Sequence, residues 1–140
     1  LISRVEAITA ANKGARLVLA VDYGGKWDIT EAAKYFAERV ADGSITPEQI
    51  TPELFEQQMS LDNLPAPDLC IRTGGDVRLS NFMLWQMAYT ELYFSDVLWP
   101  DFDENELIKA FSDFSCRERR FGGRKSSTIN VLKEDPRALI

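Results

Sequence analysis

The sequence predicts an α/β fold: a mostly parallel sheet flanked by helices. Two short apolar runs, residues 16–21 and 68–72, each lead into a glycine pair, as expected of buried parallel strands that end in tight turns. Segments with helical spacing alternate with these runs, which is typical of parallel sheets with crossover helices. Three strands make a small sheet, so we expect residues 1–140 to be a single α/β domain fragment whose remainder lies upstream.

The first elements have identifiable boundaries. A helix is predicted up to about Asn12, and the strand 16–21 follows it. In the next helix, Asp28 and Glu31 have the spacing of a capping box, and Gly43 ends the run. The apolar face predicted for this helix consists of Ile29, Ala33, Phe36 and Val40.

Helix caps also mark the later elements. Thr46-Pro47 and Thr51-Pro52 each place an N-cap before a proline, so two short helices are predicted. A further helix is predicted from Ser80 to about Tyr89. The strand 91–94, with residues 97–99 beyond it, precedes a helix opened by Asp103 and Glu106. The apolar face of that last helix is Leu107, Phe111 and Phe114, which suits either a core or a dimer interface.

Composition excludes several classes of protein. Hydrophobic residues make up 45% of the chain, enough for a core. No apolar run reaches the roughly 18–20 residues of a membrane span, and the first residues lack a signal-peptide pattern. Two cysteines are too few for a disulfide framework, so we expect a reducing, cytoplasmic compartment.

The net charge of −6 is unevenly distributed. Between residues 117 and 125, five cations stand against Glu118 alone, which gives this window a charge of +4. The acidic remainder argues against nucleic-acid binding. The basic window suits one compact anion or an anionic membrane surface, although a solvated helix end would explain it equally well.

A candidate anion site lies where the strand 68–72 gives way to the predicted helix. Gly74-Gly75 allow a sharp turn, and ligands in open α/β sheets bind beyond the carboxyl ends of strands. Arg72, Arg78 and Ser80 fall within nine residues, and two guanidinium groups beside a helix N-terminus suit a diphosphate. Simpler explanations remain: Ser80 as an N-cap, the glycines as a turn, and each arginine as the partner of an acidic neighbour.

The same stretch resembles the signature of the cis-prenyltransferase family, of the undecaprenyl diphosphate synthase type. The residues that carry the resemblance are 72–82, 84–86 and 89–91, together with Tyr23-Gly24-Gly25-Lys26, Trp99-Pro100-Asp101-Phe102 and Arg119-Arg120-Phe121-Gly122-Gly123. The resemblance extends from about Ile8 to Arg124. It identifies the chain with the C-terminal half of such an enzyme and implies the corresponding part of that family's α/β fold.

The resemblance also implies roles for individual residues. Arg72, Arg78 and Ser80 would bind the diphosphate of isopentenyl diphosphate, with Leu79 contributing backbone. Glu91 would help to hold Mg²⁺, a hard cation that takes carboxylate and phosphate oxygens together.

The basic tail, residues 117–125, would reach the site of a partner subunit. There Arg120 and Gly122, which match the family's Arg-x-Gly pattern, would close over the diphosphate. Three residues depart from the family's usual choices and affect fine tuning: Asp76, Asp22 and Lys26 stand in place of Glu, Asn and Arg.

One family segment has no counterpart here. Its His-x-x-x-Met-Asp-Gly-Asn pattern supplies the aspartate of the metal centre, whereas this chain has no histidine and no Met-Asp-Gly run. The catalytic residue is therefore unassigned. We expect the N-terminal catalytic half to be missing and the chain to be inactive alone.

The resemblance implies a transferase that condenses isopentenyl diphosphate onto farnesyl diphosphate to make undecaprenyl diphosphate for cell-wall peptidoglycan. The intact enzyme is expected to be a cytoplasmic homodimer, in peripheral contact with the inner face of the cytoplasmic membrane. Two alternatives are a non-catalytic accessory subunit of a prenyltransferase heteromer and an unrelated phosphate-binding α/β domain. The intact run 72–81 and Glu91 argue against the accessory subunit. Competition between isopentenyl diphosphate and general phosphate ligands would test the other alternative.

Overall fold

The computed structural model describes residues 2–118, which form four α-helices, two short 3-10 turns and a two-stranded parallel sheet. In chain order the elements are α1 (Ile2–Thr9), α2 (Gly25–Ala41), a 3-10 turn (Pro47–Gln49), α3 (Pro52–Glu56), β1 (Leu69–Arg72), β2 (Glu91–Phe94), a 3-10 turn (Trp99–Asp101) and α4 (Glu104–Cys116). The strands β1 and β2 pair in parallel. The predicted α/β class is therefore confirmed, as are the two short helical segments that follow Thr46 and Thr51.

The chain divides into two compact units. The described part of the first unit is residues 2–65 and 79–85, and that of the second is residues 66–78 and 86–118. The chain thus passes from the second unit to the first after residue 78 and returns after residue 85.

The core of the first unit forms around α2. Ala32 and Phe36 on this helix are buried, and so is Met59. The Phe36 ring stacks on Phe55 with centroids 5.6 Å apart, and Phe55 lies 5.0 Å from the indole of Trp85. Aromatic contacts thus connect α2, α3 and the segment 79–85.

The start of α2 differs from the prediction. The helix begins at Gly25, three residues before the proposed cap Asp28, whose side chain is buried within the first turn. Its carboxylate accepts hydrogen bonds from the Tyr23 hydroxyl (2.9 Å) and from both the amide and the hydroxyl of Ser60 (2.9 Å each). Asp28 therefore ties α2 to the segment after α3. The buried face of the helix follows Asp28, so Ala33 of the predicted face is exposed.

The strand predicted at residues 16–21 is absent. Leu17, Leu19 and Val21 are 83%, 77% and 82% exposed, and this segment belongs to neither strand of the sheet. An isolated extended segment is not a strand, because its backbone groups need a hydrogen-bonded neighbour. No such neighbour exists among residues 2–118. Likewise, α1 buries none of its side chains.

The helix predicted from Ser80 to Tyr89 is also wrong. Residues 80–89 form turns, and Ser80, Asn81 and Met83 have φ values of 49°, 66° and 43°. These left-handed conformations are incompatible with a right-handed helix. The apolar residues at helical spacing in this stretch are therefore used in irregular packing.

The second unit follows the prediction more closely. Leu69 pairs with Glu91 and Arg72 with Phe94, and α4 packs on β2. The Asp103 carboxylate accepts the Glu106 amide at 3.0 Å and so caps α4, as predicted. Of the apolar face predicted for this helix, Phe111 is 53% exposed, whereas Ala110 is fully buried. None of the helices in residues 2–118 is long and apolar enough to cross a membrane.

Replacing Asp28 with alanine should destabilise the protein strongly. The substitution removes the acceptor shared by Tyr23 and Ser60, and we expect the free energy of unfolding to fall by about 2–4 kcal/mol. Urea denaturation measures this change. The exposed Asp62 provides the control, since Asp62→Ala should change the free energy by no more than about 0.5 kcal/mol. Equal effects of the two substitutions would contradict the structural role of Asp28.

Candidate functional site

The glycine turn that follows β1 is held against the segment that follows β2. The Gly74 amide donates to the Val97 carbonyl at 2.8 Å, and the Gly75 amide donates to Ser95 at 3.0 Å. Both glycines have positive φ, 86° and 78°, a conformation that side chains disfavour. The Ser95 amide in turn donates to the Arg72 carbonyl at 2.8 Å. The two glycines therefore form the sharp turn that the sequence predicts, and both of their amides are already hydrogen-bonded.

The turn places one carboxylate between the two predicted arginines. Asp76 Oδ2 accepts Nη2 of Arg72 at 2.9 Å and Nη2 of Arg78 at 2.7 Å. The Arg78 side chain is 67% exposed, whereas that of Arg72 is 28% exposed. Two cations and one anion leave a local excess of positive charge. Because a guanidinium has five N–H donors, most of the donors of Arg78 remain open to solvent or to a ligand.

Arg72 also has a donor that the described residues leave without a partner. Its Nε is buried and has no hydrogen-bond acceptor among residues 2–118. Buried donors are almost always satisfied in folded proteins, so one without a partner calls for an explanation. An acceptor supplied by an anion, or by chain outside the described residues, would satisfy it.

A second charged cluster surrounds Glu91 at the start of β2. Arg117 Nη1 donates to Glu91 Oε2 at 3.0 Å and to the Leu92 carbonyl at 2.9 Å, while its Nε donates to Asp113 at 2.8 Å. The hydrogen bond to Glu91, together with the pair to Asp113, raises the pKa of Arg117. Arg117 thus joins the end of α4 to β2, and this first residue of the predicted partner-reaching tail contacts its own chain.

The strand register separates the two clusters. Arg72 is level with Phe94 and Glu91 is level with Leu69, so Arg72 and Glu91 stand three residues apart along the strands. At about 3.3 Å per residue, this offset is roughly 10 Å. The structure therefore brings Arg72 and Arg78 together and leaves Glu91 at the opposite end of the strand pair.

The donor set at Glu91 bears on the expected metal. No group of three or more histidine, cysteine or acidic side chains that could hold a metal ion occurs in residues 2–118. Glu91 supplies one carboxylate, which already has Arg117 as a partner. This set fits Mg²⁺ in the mode in which one or two carboxylates act with substrate phosphates, and it does not fit a metal site made by the protein alone.

Cys70, next to Arg72 on β1, is not a candidate nucleophile. Burial raises the pKa of the Cys70 thiol, and Arg72 only partly opposes this effect. Catalytic cysteines need a lowered pKa. The thiol therefore belongs to the packing of the strand.

The remaining predicted site residues are placed differently. Leu79 and Ser80 belong to the first unit, where Ser80 is exposed and begins a turn. No helix starts at this serine, so the predicted helix N-terminus is not part of the site. Arg120 and Gly122 lie outside the described residues.

One of the simpler explanations, that each arginine is the partner of an acidic neighbour, describes an arrangement that is present: Asp76 is that neighbour for both Arg72 and Arg78. The partners of Arg117 were not predicted. Arg117 follows Asp113 by four residues, the spacing of a helical ion pair, and that signal predicts one of its contacts. The contact between Arg117 and Glu91 spans 26 residues and has no sequence signal.

The fold defines an α/β protein in which two arginines share one carboxylate, and comparison with known proteins identifies its family. The prenyltransferase family model described as undecaprenyl diphosphate synthase matches residues 1–122. Curated relatives include the (2E,6E)-farnesyl-diphosphate-specific ditrans,polycis-undecaprenyl-diphosphate synthases of Escherichia coli K12, 52% identical over 87% of this chain, and of Pseudomonas putida, 53% identical over 84%.

Solved structures that resemble this chain are also prenyl diphosphate synthases. Lavandulyl diphosphate synthase from Lavandula x intermedia, in complex with dimethylallyl diphosphate, superposes with a TM-score of 0.81 at 46% identity, over 86% of this chain and 52% of that protein. A probable undecaprenyl diphosphate synthase from Campylobacter jejuni gives 0.69 at 36% identity, over 86% and 54%. The chain belongs to the undecaprenyl diphosphate synthase family of prenyltransferases. It spans about half the length of the curated relatives it matches, 48% and 47% for the two named above.

Replacing Arg117 with methionine should lower the free energy of unfolding by about 1–2 kcal/mol, because three acceptors lose a charged donor. Chemical denaturation measures the loss. Lys34, whose exposed ion pair with Glu31 is of the kind that contributes little, provides the control. If Arg117→Met were as mild as Lys34→Met, Arg117 would not join α4 to β2 in solution.

Proposed function

We propose that this chain carries the isopentenyl diphosphate site of an undecaprenyl diphosphate synthase. The whole enzyme would condense isopentenyl diphosphate onto farnesyl diphosphate, with cis double bonds, to make undecaprenyl diphosphate. The observation that carries the proposal is the pair Arg72 and Arg78, joined through the carboxylate of Asp76. Membership in the family supports the reaction class.

Two guanidinium groups held by one acid suit a diphosphate. Asp76 keeps both guanidinium groups within hydrogen-bond distance of one oxygen before any ligand arrives, so less side-chain entropy is lost on binding. The excess positive charge attracts the anion, and guanidinium donors form strong charge-assisted bonds with phosphate oxygens. Leu79 and Ser80, which follow Arg78 in sequence, would add a backbone group and a hydroxyl.

Glu91 is proposed as the residue of this chain that holds Mg²⁺. When bound, the cation would neutralise charge on the departing diphosphate. The carboxylate of Glu91 is held in place by Arg117, which limits its rotation. Glu91 lies at the other end of the strand pair from Arg72. We therefore expect the Mg²⁺ held by Glu91 to lie apart from the diphosphate held by Arg72 and Arg78.

The remaining groups belong to the assembled enzyme. We propose a homodimer in which Arg120 and Gly122 of one subunit close over the diphosphate in the other. The catalytic aspartate and the residues that grip the allylic substrate would come from the N-terminal half of the full-length protein. We also propose that the enzyme is cytoplasmic and works near the inner face of the cytoplasmic membrane, where its lipid product would be used.

A non-catalytic accessory subunit is less well supported. Such a subunit has no need of paired arginines around an acid or of an intact Glu91, and the similar curated relatives are synthases. A general phosphate-binding domain would bind inorganic diphosphate and isopentenyl diphosphate equally. Competition between these two ligands in the full-length protein therefore tests the proposal.

Arg78→Ala in the full-length protein should raise KM for isopentenyl diphosphate at least tenfold and leave KM for farnesyl diphosphate within about twofold. The substitution removes charge-assisted bonds to one substrate only. Steady-state kinetics with each substrate varied in turn measures the difference. Arg39, which contacts Tyr35 in the first unit, is the matched control, and Arg39→Ala should change neither constant. Equal changes for both substrates with Arg78→Ala would reject the assignment.

Arg120→Ala should lower turnover without changing the melting temperature. Mixing this variant with the Arg78→Ala variant tests whether Arg120 serves its own subunit's site or its partner's. If Arg120 serves the partner's site, a heterodimer of the Arg78→Ala and Arg120→Ala chains contains one intact site. Random exchange of the two chains should then restore about a quarter of wild-type activity. If Arg120 serves its own chain, each site carries one defect and the mixture stays as inactive as its components.

A further inference from the structure

The segment 79–85 is attached to the N-terminus of α2 through Asn81. The Gly25 amide donates to the Asn81 carbonyl at 2.7 Å, and the Lys26 amide donates to Asn81 Oδ1 at 2.8 Å. The N-cap residue of the helix, Gly24, has no side chain with which to cap it. Asn81 therefore caps α2 from 55 residues away in sequence, satisfying two of the amides that every helix start leaves unpaired.

The glycine pair of the Tyr23–Lys26 motif allows this close approach. A Cβ on Gly25 would lie 2.8 Å from Leu84 Cγ and 2.9 Å from the Leu84 amide nitrogen, and a Cβ on Gly24 would lie 2.9 Å from Asn81 Nδ2. Real Cβ atoms essentially never come so close, so a side chain at Gly25 would push the backbone of the segment away, and one at Gly24 would displace the side-chain amide of Asn81. Backbone conformation is not the reason for glycine at position 24, because its φ of −144° is an ordinary extended value. Glycine is needed there because a side chain would meet Asn81.

The attached segment is held in an unfavourable conformation. Ser80, Asn81 and Met83 all have left-handed φ values, which cost roughly 1–2 kcal/mol each for most residues and less for asparagine. Such conformations persist only where the surroundings impose them. The two hydrogen bonds of Asn81 and the edge-to-face contact of Tyr23 with Phe82 at 5.8 Å provide that constraint.

We propose that Asn81 is a positioning residue, which caps α2 and thereby fixes the backbone of the adjacent Ser80 for diphosphate binding. This inference rests on the proposed function, because it requires Ser80 to contact isopentenyl diphosphate. It explains why the motifs Tyr23–Lys26 and 72–82, remote in sequence, occur together. The backbone of the first motif holds Asn81 of the second motif by two hydrogen bonds.

The test uses the full-length protein with Asn81→Ala and Asn81→Asp. Alanine loses the side-chain cap and tolerates positive φ less well, so the Kd for isopentenyl diphosphate should rise about tenfold, which equals about 1.4 kcal/mol. Aspartate keeps the acceptor oxygen and its charge is favoured at a helix N-terminus, so Kd should stay within about threefold of wild type. Calorimetry measures Kd, and kinetics with farnesyl diphosphate should show KM within about twofold of wild type.

A matched control separates positioning from stability. Thr51 caps α3 in the same unit through its hydroxyl, which accepts the Leu54 amide at 3.2 Å. Thr51→Ala should lower the melting temperature without changing either substrate constant. If Asn81→Ala does not fold, Asn81→Gly takes its place, since glycine accepts positive φ but lacks the cap.

The outcomes distinguish the two ideas. Weakened binding of isopentenyl diphosphate alone, rescued by aspartate, supports Asn81 as a positioning residue. Wild-type binding in the alanine or glycine variant, or equal weakening for both substrates, overturns the inference and leaves the proposed function standing. If wild-type protein binds no isopentenyl diphosphate, the proposed function is wrong and the inference falls with it.

Discussion

The parallel hydrogen bonding of β1 with β2 is the constraint on which the charged groups of the second unit depend. It fixes Arg72 at the carboxyl end of one strand and Glu91 at the amino end of the other. The bonds from Gly74 and Gly75 to the segment after β2 continue this pairing beyond the strands. Because backbone bonds set these positions, the side chains begin from fixed points and need few further contacts to become ordered.

Both charged clusters follow one electrostatic pattern. Asp76 accepts donors from two arginines, while Arg117 donates to two carboxylates and a carbonyl. In each cluster the central group satisfies several partners at once, so like charges stand near one another without strong repulsion. Such a network of charged hydrogen bonds keeps its side chains ordered together.

Much of the fold could be predicted from sequence, but its irregular parts could not. The strands β1 and β2, the cap Asp103 and the pair Arg72 and Arg78 have local signals, since each is marked by neighbours within a few residues. The strand predicted at residues 16–21 is absent, because a strand needs a hydrogen-bonded partner that its own sequence does not reveal. The helix predicted after Ser80 failed because long-range contacts of Asn81 override its apolar spacing. Asp28 shows the same limit, since its partner Ser60 lies 32 residues away.

The return of the chain between residues 78 and 86 makes the first unit discontinuous in sequence. Residues 79–85 belong to that unit, whereas the residues on both sides belong to the second. A polypeptide that stopped at residue 65 would therefore lack Asn81, which caps α2, and Trp85, whose indole packs on Phe55. The first unit is complete only when the chain extends through residue 85.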